Sequence, residues 1–238
     1  MVSAIIVAGG KGLRMGHALR KQYLSLAGMP VLTHTLLTFH ENNNINRTYL
    51  VVPEDDFEFC KSQTLLPYKL DKKVELVPGG VERQDSVYNG LKAVEKSSST
   101  GKTNVEEEIV VIHDGVRPFI QSDVIESCII CARNSGACIT GIPSYDTVKN
   151  VNTSGDILET VERDSIWFAQ TPQAFRYSVI KNAHEHAKDA GFFGTDDASL
   201  VEFTGAKVKM VKGSRMNIKI TTKEDLLLAE ALIAAGLV

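Results

Sequence analysis

The residues best suited to chemistry in this chain gather where short apolar runs end. Near the N-terminus, Ala4-Ile-Ile-Val-Ala8 runs into Gly9-Gly10-Lys11-Gly12-Leu13-Arg14-Met15-Gly16, and Lys21 follows. So short an apolar run reads as a buried strand, and a glycine-rich turn leaving it lets backbone N–H groups close on anionic oxygens. Lys11, Arg14 and Lys21 add positive charge, so a polyphosphate is the ligand this stretch suits. Two more strand-like runs end similarly, in Pro78-Gly79-Gly80-Val81-Glu82-Arg83 and in His113-Asp114-Gly115-Val116-Arg117. Asp114 offers the oxygen ligand that magnesium prefers, commonly shared with phosphate. In open α/β sheets ligands bind beyond the carboxyl ends of the strands, so the three turns point to one site.

Several other patterns fail. The dinucleotide fingerprint needs a third glycine where Gly10-Lys-Gly12-Leu-Arg-Met15 has methionine. Gly101-Lys102-Thr103 resembles the end of a Walker A loop, but the required earlier glycine is Lys96. Cys128 and Cys131 form a C-x-x-C inside an apolar helical stretch with no second pair, so they read as small buried hydrophobes.

The elements that must position these turns follow from periodicity. Strands are expected at Ala4–Ala8, Arg47–Val52, Val74–Val77, Ile109–Ile112, Ala137–Ile142 and Lys207–Val211. Helices are expected at Val31–Phe39, Asp55–Leu65, Arg83–Lys96, Asp123–Asn134, Phe175–Ala190, Asp196–Thr204 and Lys223–Ala235. The third of these carries an apolar stripe at Val87, Leu91 and Val94. Alternation of this kind predicts one α/β domain, Rossmann-like and doubly wound, over a mostly parallel sheet. Ser144–Pro172 departs from it. Thr147–Val151 and Ile157–Val161 flank the turn Asn152-Thr-Ser-Gly155, a protruding β-hairpin that is marginal alone and so a candidate oligomer arm. With 26 basic and 29 acidic residues the chain has no global pull towards nucleic acid. No run approaches the ~20 apolar residues of a membrane span and no signal peptide is evident, so a cytoplasmic enzyme is expected.

The order of the motifs carries a resemblance. Ala8-Gly9-Gly10-x-Gly12-x-Arg14-Met15 with Lys21-Gln22-Tyr23-Leu24 looks like the signature loop of the sugar-nucleotide pyrophosphorylase superfamily. Gly79-Gly80-x-x-Arg83-x-Asp85-Ser86, His113-Asp114-x-x-Arg117-Pro118, Asp146-Thr147-Val148-Lys149, Gln170-Thr171-Pro172-Gln173, Thr195-Asp196-Asp197-Ala198 and Asn217-Ile218-Lys219 narrow it. Together they resemble the 2-C-methyl-D-erythritol 4-phosphate cytidylyltransferase family of the non-mevalonate isoprenoid pathway, from Ala4 to about Glu230.

The resemblance implies transfer of CMP from CTP to a sugar-alcohol phosphate with release of pyrophosphate, with magnesium or another divalent cation as cofactor. It assigns Arg14, Lys21 and Lys219 as catalytic cations. Ala8, Gly9, Gly10, Gly12, Gly80, Arg83, Ser86 and Asp114 would bind CTP, and Asp114 would also contact the metal, directly or through water. Asp146, Thr147, Arg163, Thr171 and Thr195 would bind the acceptor, with Lys219 reaching both substrates. The hairpin arm would exchange across a homodimer, so that Thr147 and Arg163 serve the partner's site. Three departures stand out: Arg20 replaces a common proline, Val81 an aspartate of some members, and Gly115-Val116 the commoner Ala-Ala. The rival acceptor is ribitol 5-phosphate, and the rival class is a CTP-binding regulator without turnover.

Overall fold

The first strand shows why the chain layers as it does. In the computed structural model, which describes residues 1–10, 19–99 and 104–238, Val2–Val7 (β1) is buried along nearly its whole length. Ala4 and Ile6 enter one core and Ile5 the other, because successive side chains of a strand point to opposite faces. A strand apolar on both faces needs helices on both sides.

The remaining elements supply them. After the small hairpin β2 (Ser25–Leu26) and β3 (Met29–Pro30) come α1 (Val31–Glu41), β4 (Arg47–Val52), α2 (Phe57–Cys60), β5 (Val74–Pro78) and α3 (Arg83–Ser99). Next come β6 (Ile109–Asp114), α4 (Ser122–Ser135), β7 (Ala137–Pro143), β8 (Val148–Val151), β9 (Ile157–Val161) and β10 (Trp167–Arg176). The chain finishes with α5 (Tyr177–Asp189), α6 (Asp197–Phe203), β11 (Lys209–Lys212) and α7 (Lys223–Ala234). The seven-stranded sheet runs β11-β7-β10-β6-β1-β4-β5, with β10 antiparallel to both neighbours and the other adjacent pairs parallel. Leu32, Leu36 and Phe39 of α1 pack with Ile125 and Cys128 of α4 on one face. On the other lie Val87, Leu91 and Val94 of α3, the stripe expected from spacing, with Ile180 and Ala183 of α5. The strand order reverses at β1 and β6, the switch point where α/β sheets open a crevice.

Most element ends shift by one to three residues from expectation, and three differences change the architecture. Asp55–Leu65 is not one helix: short 3-10, α and π turns succeed one another from Glu54 to Tyr68. Pro67 has no N–H to continue a ladder, and Lys69 turns to a φ of +58°. Phe175 and Arg176 belong to β10, because Phe175 pairs with Val110 and with Ala137, and the helix starts at Tyr177. The excursion is also shorter than Ser144–Pro172, since Trp167–Gln170 pair with β7 inside the central sheet. The hairpin itself forms as expected. Asn152 Oδ1 accepts the N–H groups of Ser154 (3.0 Å) and Asp156 (2.9 Å), and Gly155 takes a φ of +88°. All four cysteines are free thiols, with Cys60, Cys128 and Cys138 buried.

Candidate active site

The expected glycine turns meet at the carboxyl ends of β1, β5 and β6. A methyl group on Gly9 would lie 3.7 Å from Ser86 Oγ, and one on Gly115 would lie 3.0 Å from Ala8 Cβ. Ser86 is buried and holds its own turn, accepting the Gly80 N–H (3.0 Å) and donating to the Glu82 carbonyl (3.1 Å). Gly80 has no room for a side chain: a Cβ there would stand 2.2 Å from Asp85 Cβ. Lys21 sits in the 3-10 turn Lys21–Tyr23, its Cε 3.8 Å from where a Cβ on Gly10 would be. Lys11, Gly12 and Arg14 lie outside the described residues.

Asp114, at the tip of β6, is the electrostatic centre. Its Oδ2 lies 2.8 Å from Lys219 Nζ and 3.7 Å from Arg117 Nε, and its Oδ1 lies 3.2 Å from Arg83 Nε. Burial alone would raise this carboxyl, but Arg83, Lys219 and Arg117 outweigh it and hold Asp114 far below the ordinary carboxylate range. Arg83 also donates through Nη1 to Asp197 Oδ2 at 2.8 Å, and His184 Nε2 lies 3.3 Å from Asp197 Oδ1. Desolvation works against the Arg83 charge, yet Asp197 and Asp114 more than offset it and raise its pKa. Arg83, Asp114, Arg117 and Lys219 border a cleft of about 260 Å³ that Thr171 and Thr195 also line.

Behind Asp114 the hydrogen bonds have one consistent direction. Burial pushes the His113 imidazole down to about 3, so the ring is neutral. Its Nε2 faces the Arg117 carbonyl (3.3 Å) and must donate, leaving Nδ1 to accept from Thr171 Oγ1 (3.0 Å). Thr171 Oγ1 in turn accepts the Asp114 N–H (3.1 Å). The Thr171 hydrogen is therefore committed to His113. Towards a substrate this hydroxyl can accept but cannot donate to a phosphate oxygen.

Of the expected acceptor residues, Thr171 and Thr195 share the cleft with Lys219. Asp146, Thr147 and Arg163 do not line it. They are exposed at the root of the hairpin, where Arg163 Nη1 donates to the Tyr145 carbonyl at 3.3 Å. Sequence reasoning gave no role to Arg117, His113, Gln173, Asn217, Asp197 or His184. The first five stand inside the motifs quoted above. Gln173 Oε1 receives the N–H groups of Asp197 (3.1 Å) and Ala198 (3.3 Å), and Asn217 Nδ2 donates to the Thr171 carbonyl (2.8 Å). His184 lay in no motif, and only its place on a buried helical face could have drawn notice.

Among the described residues, no group of three His, Cys, Asp or Glu side chains could hold a metal, and no helix is long and apolar enough to cross a membrane. Asp114 is a single carboxylate already facing three cations. It fits a magnesium ion only in the mode where phosphate oxygens supply most ligands.

Glycine turns at three strand ends, with cations converging on one carboxylate at the switch point, define a phosphate-handling transferase of the nucleotidyltransferase class. The comparisons give the family. The model for 2-C-methyl-D-erythritol 4-phosphate cytidylyltransferase (IspD) matches residues 2–235. The enzyme of that name from Syntrophus aciditrophicus (strain SB) is 48% identical over 98% of this chain and 95% of its own. Its counterpart from Alkaliphilus oremlandii (strain OhILAs) is 46% identical over 97% and 94%. The crystal structure of 4-diphosphocytidyl-2C-methyl-D-erythritol synthase from Anaerococcus prevotii DSM 20548 superposes with a TM-score of 0.82 at 35% identity, covering 98% of this chain and 96% of that one. The chain belongs to the 2-C-methyl-D-erythritol 4-phosphate cytidylyltransferase family.

Proposed function

We infer that this protein transfers CMP from CTP to 2-C-methyl-D-erythritol 4-phosphate, giving 4-diphosphocytidyl-2-C-methyl-D-erythritol and pyrophosphate in isoprenoid precursor synthesis. The observation that carries this reading is the Asp114 cluster, in which Arg83, Arg117 and Lys219 meet beside the glycine turns of a chain of this family. In the reaction an acceptor phosphate oxygen attacks the α-phosphorus of CTP in line. The new O–P bond forms as the bond to the β-phosphate oxygen breaks, and pyrophosphate leaves with that electron pair. Positioning and charge neutralisation supply most of the catalysis. Lys219, held by Asp114, stands ready for the α-phosphate region, and Lys21 and Arg14 neutralise the leaving pyrophosphate.

The loop carrying Ala8, Gly9, Gly10 and Gly12 wraps the triphosphate through backbone N–H groups, and Gly80, Arg83 and Ser86 recognise cytosine and ribose. A magnesium ion would be held mainly by triphosphate oxygens with Asp114, directly or through water, and would neutralise developing charge there. Thr171 and Thr195 meet the acceptor within the cleft. Asp146, Thr147 and Arg163 meet it from an arm exchanged across a homodimer, a reading supported by their exposure and by the exposed apolar Ile157 and Leu158 on that hairpin. The cytoplasm is the compartment this chemistry implies. The test is a matrix of nucleoside triphosphates against acceptors with product identification. CTP with methylerythritol phosphate should release pyrophosphate far faster than any other pair. Faster turnover with ribitol 5-phosphate would move the protein to that reaction, and CTP binding without product would make it a regulator.

A further inference from the structure

Asp56 lies on the short turn after β4, outside the glycine-turn and cleft motifs, yet its carboxylate is aimed at the segment that carries Lys21. Asp56 Oδ2 lies 3.0 Å from Arg20 Nε and 3.3 Å from the Tyr23 hydroxyl. One oxygen thus holds the residue before Lys21 and the residue two after it. Between them, the buried Gln22 donates from Nε2 to the Ala8 carbonyl at 2.7 Å, at the mouth of the first glycine turn. Backbone bonds from Tyr23 N to Arg20 O (3.0 Å) and Leu24 N to Lys21 O (3.3 Å) close the turn on itself. Tyr23 is itself fixed, 5% exposed with its ring edge-on to Phe59 at 4.9 Å between centroids. Burial first, then Cys60 and Asp56, push the Tyr23 phenol upward, so its hydroxyl stays a donor to the carboxylate. A shift of the Lys21 backbone would therefore break a contact to the mouth of the first glycine turn or to the turn after β4.

We propose that Asp56 is a positioning residue for phosphoryl-group transfer, clamping Arg20 and Tyr23 so that the intervening Lys21 projects onto the first glycine turn. The clamp also accounts for arginine at position 20. Its φ of −64° is the value a proline ring would impose, and here an ion pair holds it instead. Asp56 does not line the cleft and its carboxylate is engaged by Arg20 and Tyr23, so its effect passes through Lys21; this rests on the role assigned to Lys21 above. A charge that acts on the leaving pyrophosphate counts most in the transition state, so loss of the clamp lowers kcat more than it raises KM.

The experiment compares Asp56→Ala, Lys21→Ala, the double variant and Arg20→Gln with CTP, magnesium and methylerythritol phosphate. Asp56→Ala should lower kcat about tenfold, the scale of a small misplacement of a catalytic group, while the acceptor KM changes less than about twofold. Lys21→Ala should cost on the order of 10²-fold, and adding Asp56→Ala to it should cost little more, because the two act as one unit. Independent, multiplying losses would overturn the proposal, as would wild-type kcat in Asp56→Ala. Should Asp56→Ala fold poorly, Arg20→Gln alters only a partly exposed side chain and should still lower kcat about threefold; wild-type kcat there would equally overturn it. If Lys21→Ala itself turns over normally, the role of Lys21 fails, a result distinct from failure of the clamp.

Discussion

His113 is fully buried, bonded through both ring nitrogens and pushed down to about 3 by burial. The unfolded chain takes up a proton near the ordinary value of 6.5, and the folded chain does not. Stability is therefore full above 6.5 and falls as pH drops towards about 3, by up to about 1.4 kcal/mol per pH unit. Asp114 acts with the same sign but lower on the scale. Its depressed carboxyl adds stability above the ordinary carboxylate range, and that stability is lost as pH falls towards its folded value. Denaturant unfolding from pH 7 to 4 should thus show a steeper decline in wild type than in His113→Gln, with the curves parting below about 6.5. Parallel curves would mean that the imidazole titrates normally in the fold. This protonation logic was not legible in the sequence. Arg83, Asp114 and Lys219 stand in motifs and could be named, but Arg83 finds Asp197 across 114 positions and Thr171 finds His113 across 58. Only the folded sheet says which groups spend their hydrogens on each other.

At the scale of elements, strands buried on both faces and the amphipathic α3 were readable from periodicity. β10 was not. Its apolar Ala174 and Phe175 face opposite cores, so they show no period that separates a buried strand from the start of α5. Packing also explains one departure from the family pattern. Gly115 leads out of β6 where α1 crosses, and a Cβ there would stand 2.8 Å from Leu32 Cδ1, 3.0 Å from Ala8 Cβ and 3.3 Å from the Val7 carbonyl. Leucine on α1 and glycine after β6 are thus a matched pair. Gly115→Ala should destabilise the protein by about 1–3 kcal/mol through overpacking. Adding Leu32→Val, which removes the crowding δ-methyl, should make the double variant more stable than the summed single losses predict. Strict additivity in denaturant melts would show that the clash lies with Ala8 or the Val7 carbonyl instead.

Among the described residues, large apolar side chains stay exposed on the β8–β9 hairpin and at the start of β10. Ile157 and Leu158 of β9 are each 62% exposed, and at the start of β10 Phe168 is 55% exposed and the chain's single tryptophan, Trp167, 39%. An isolated hairpin is marginal in water, and large apolar side chains left exposed on one suit it to association. If two copies exchange these arms, Arg163 completes the partner's cleft while Lys21 stays with its own. The two roles then separate by complementation. Mixed in equal amounts and allowed to reassort, Arg163→Ala and Lys21→Ala chains form heterodimers in half of the pairs. Each heterodimer contains one site with both residues intact, so about a quarter of wild-type turnover should return, although each variant alone is impaired. Leu158→Asp in either chain should abolish this recovery, because a charge in place of that exposed apolar side chain opposes association. Tryptophan emission gives an independent reading: Trp167 should shift to the blue as concentration drives assembly, and the shift should be absent in Leu158→Asp. Recovery no greater than the mean of the two separate variants would place Arg163 in its own subunit's site and leave the arm to association alone.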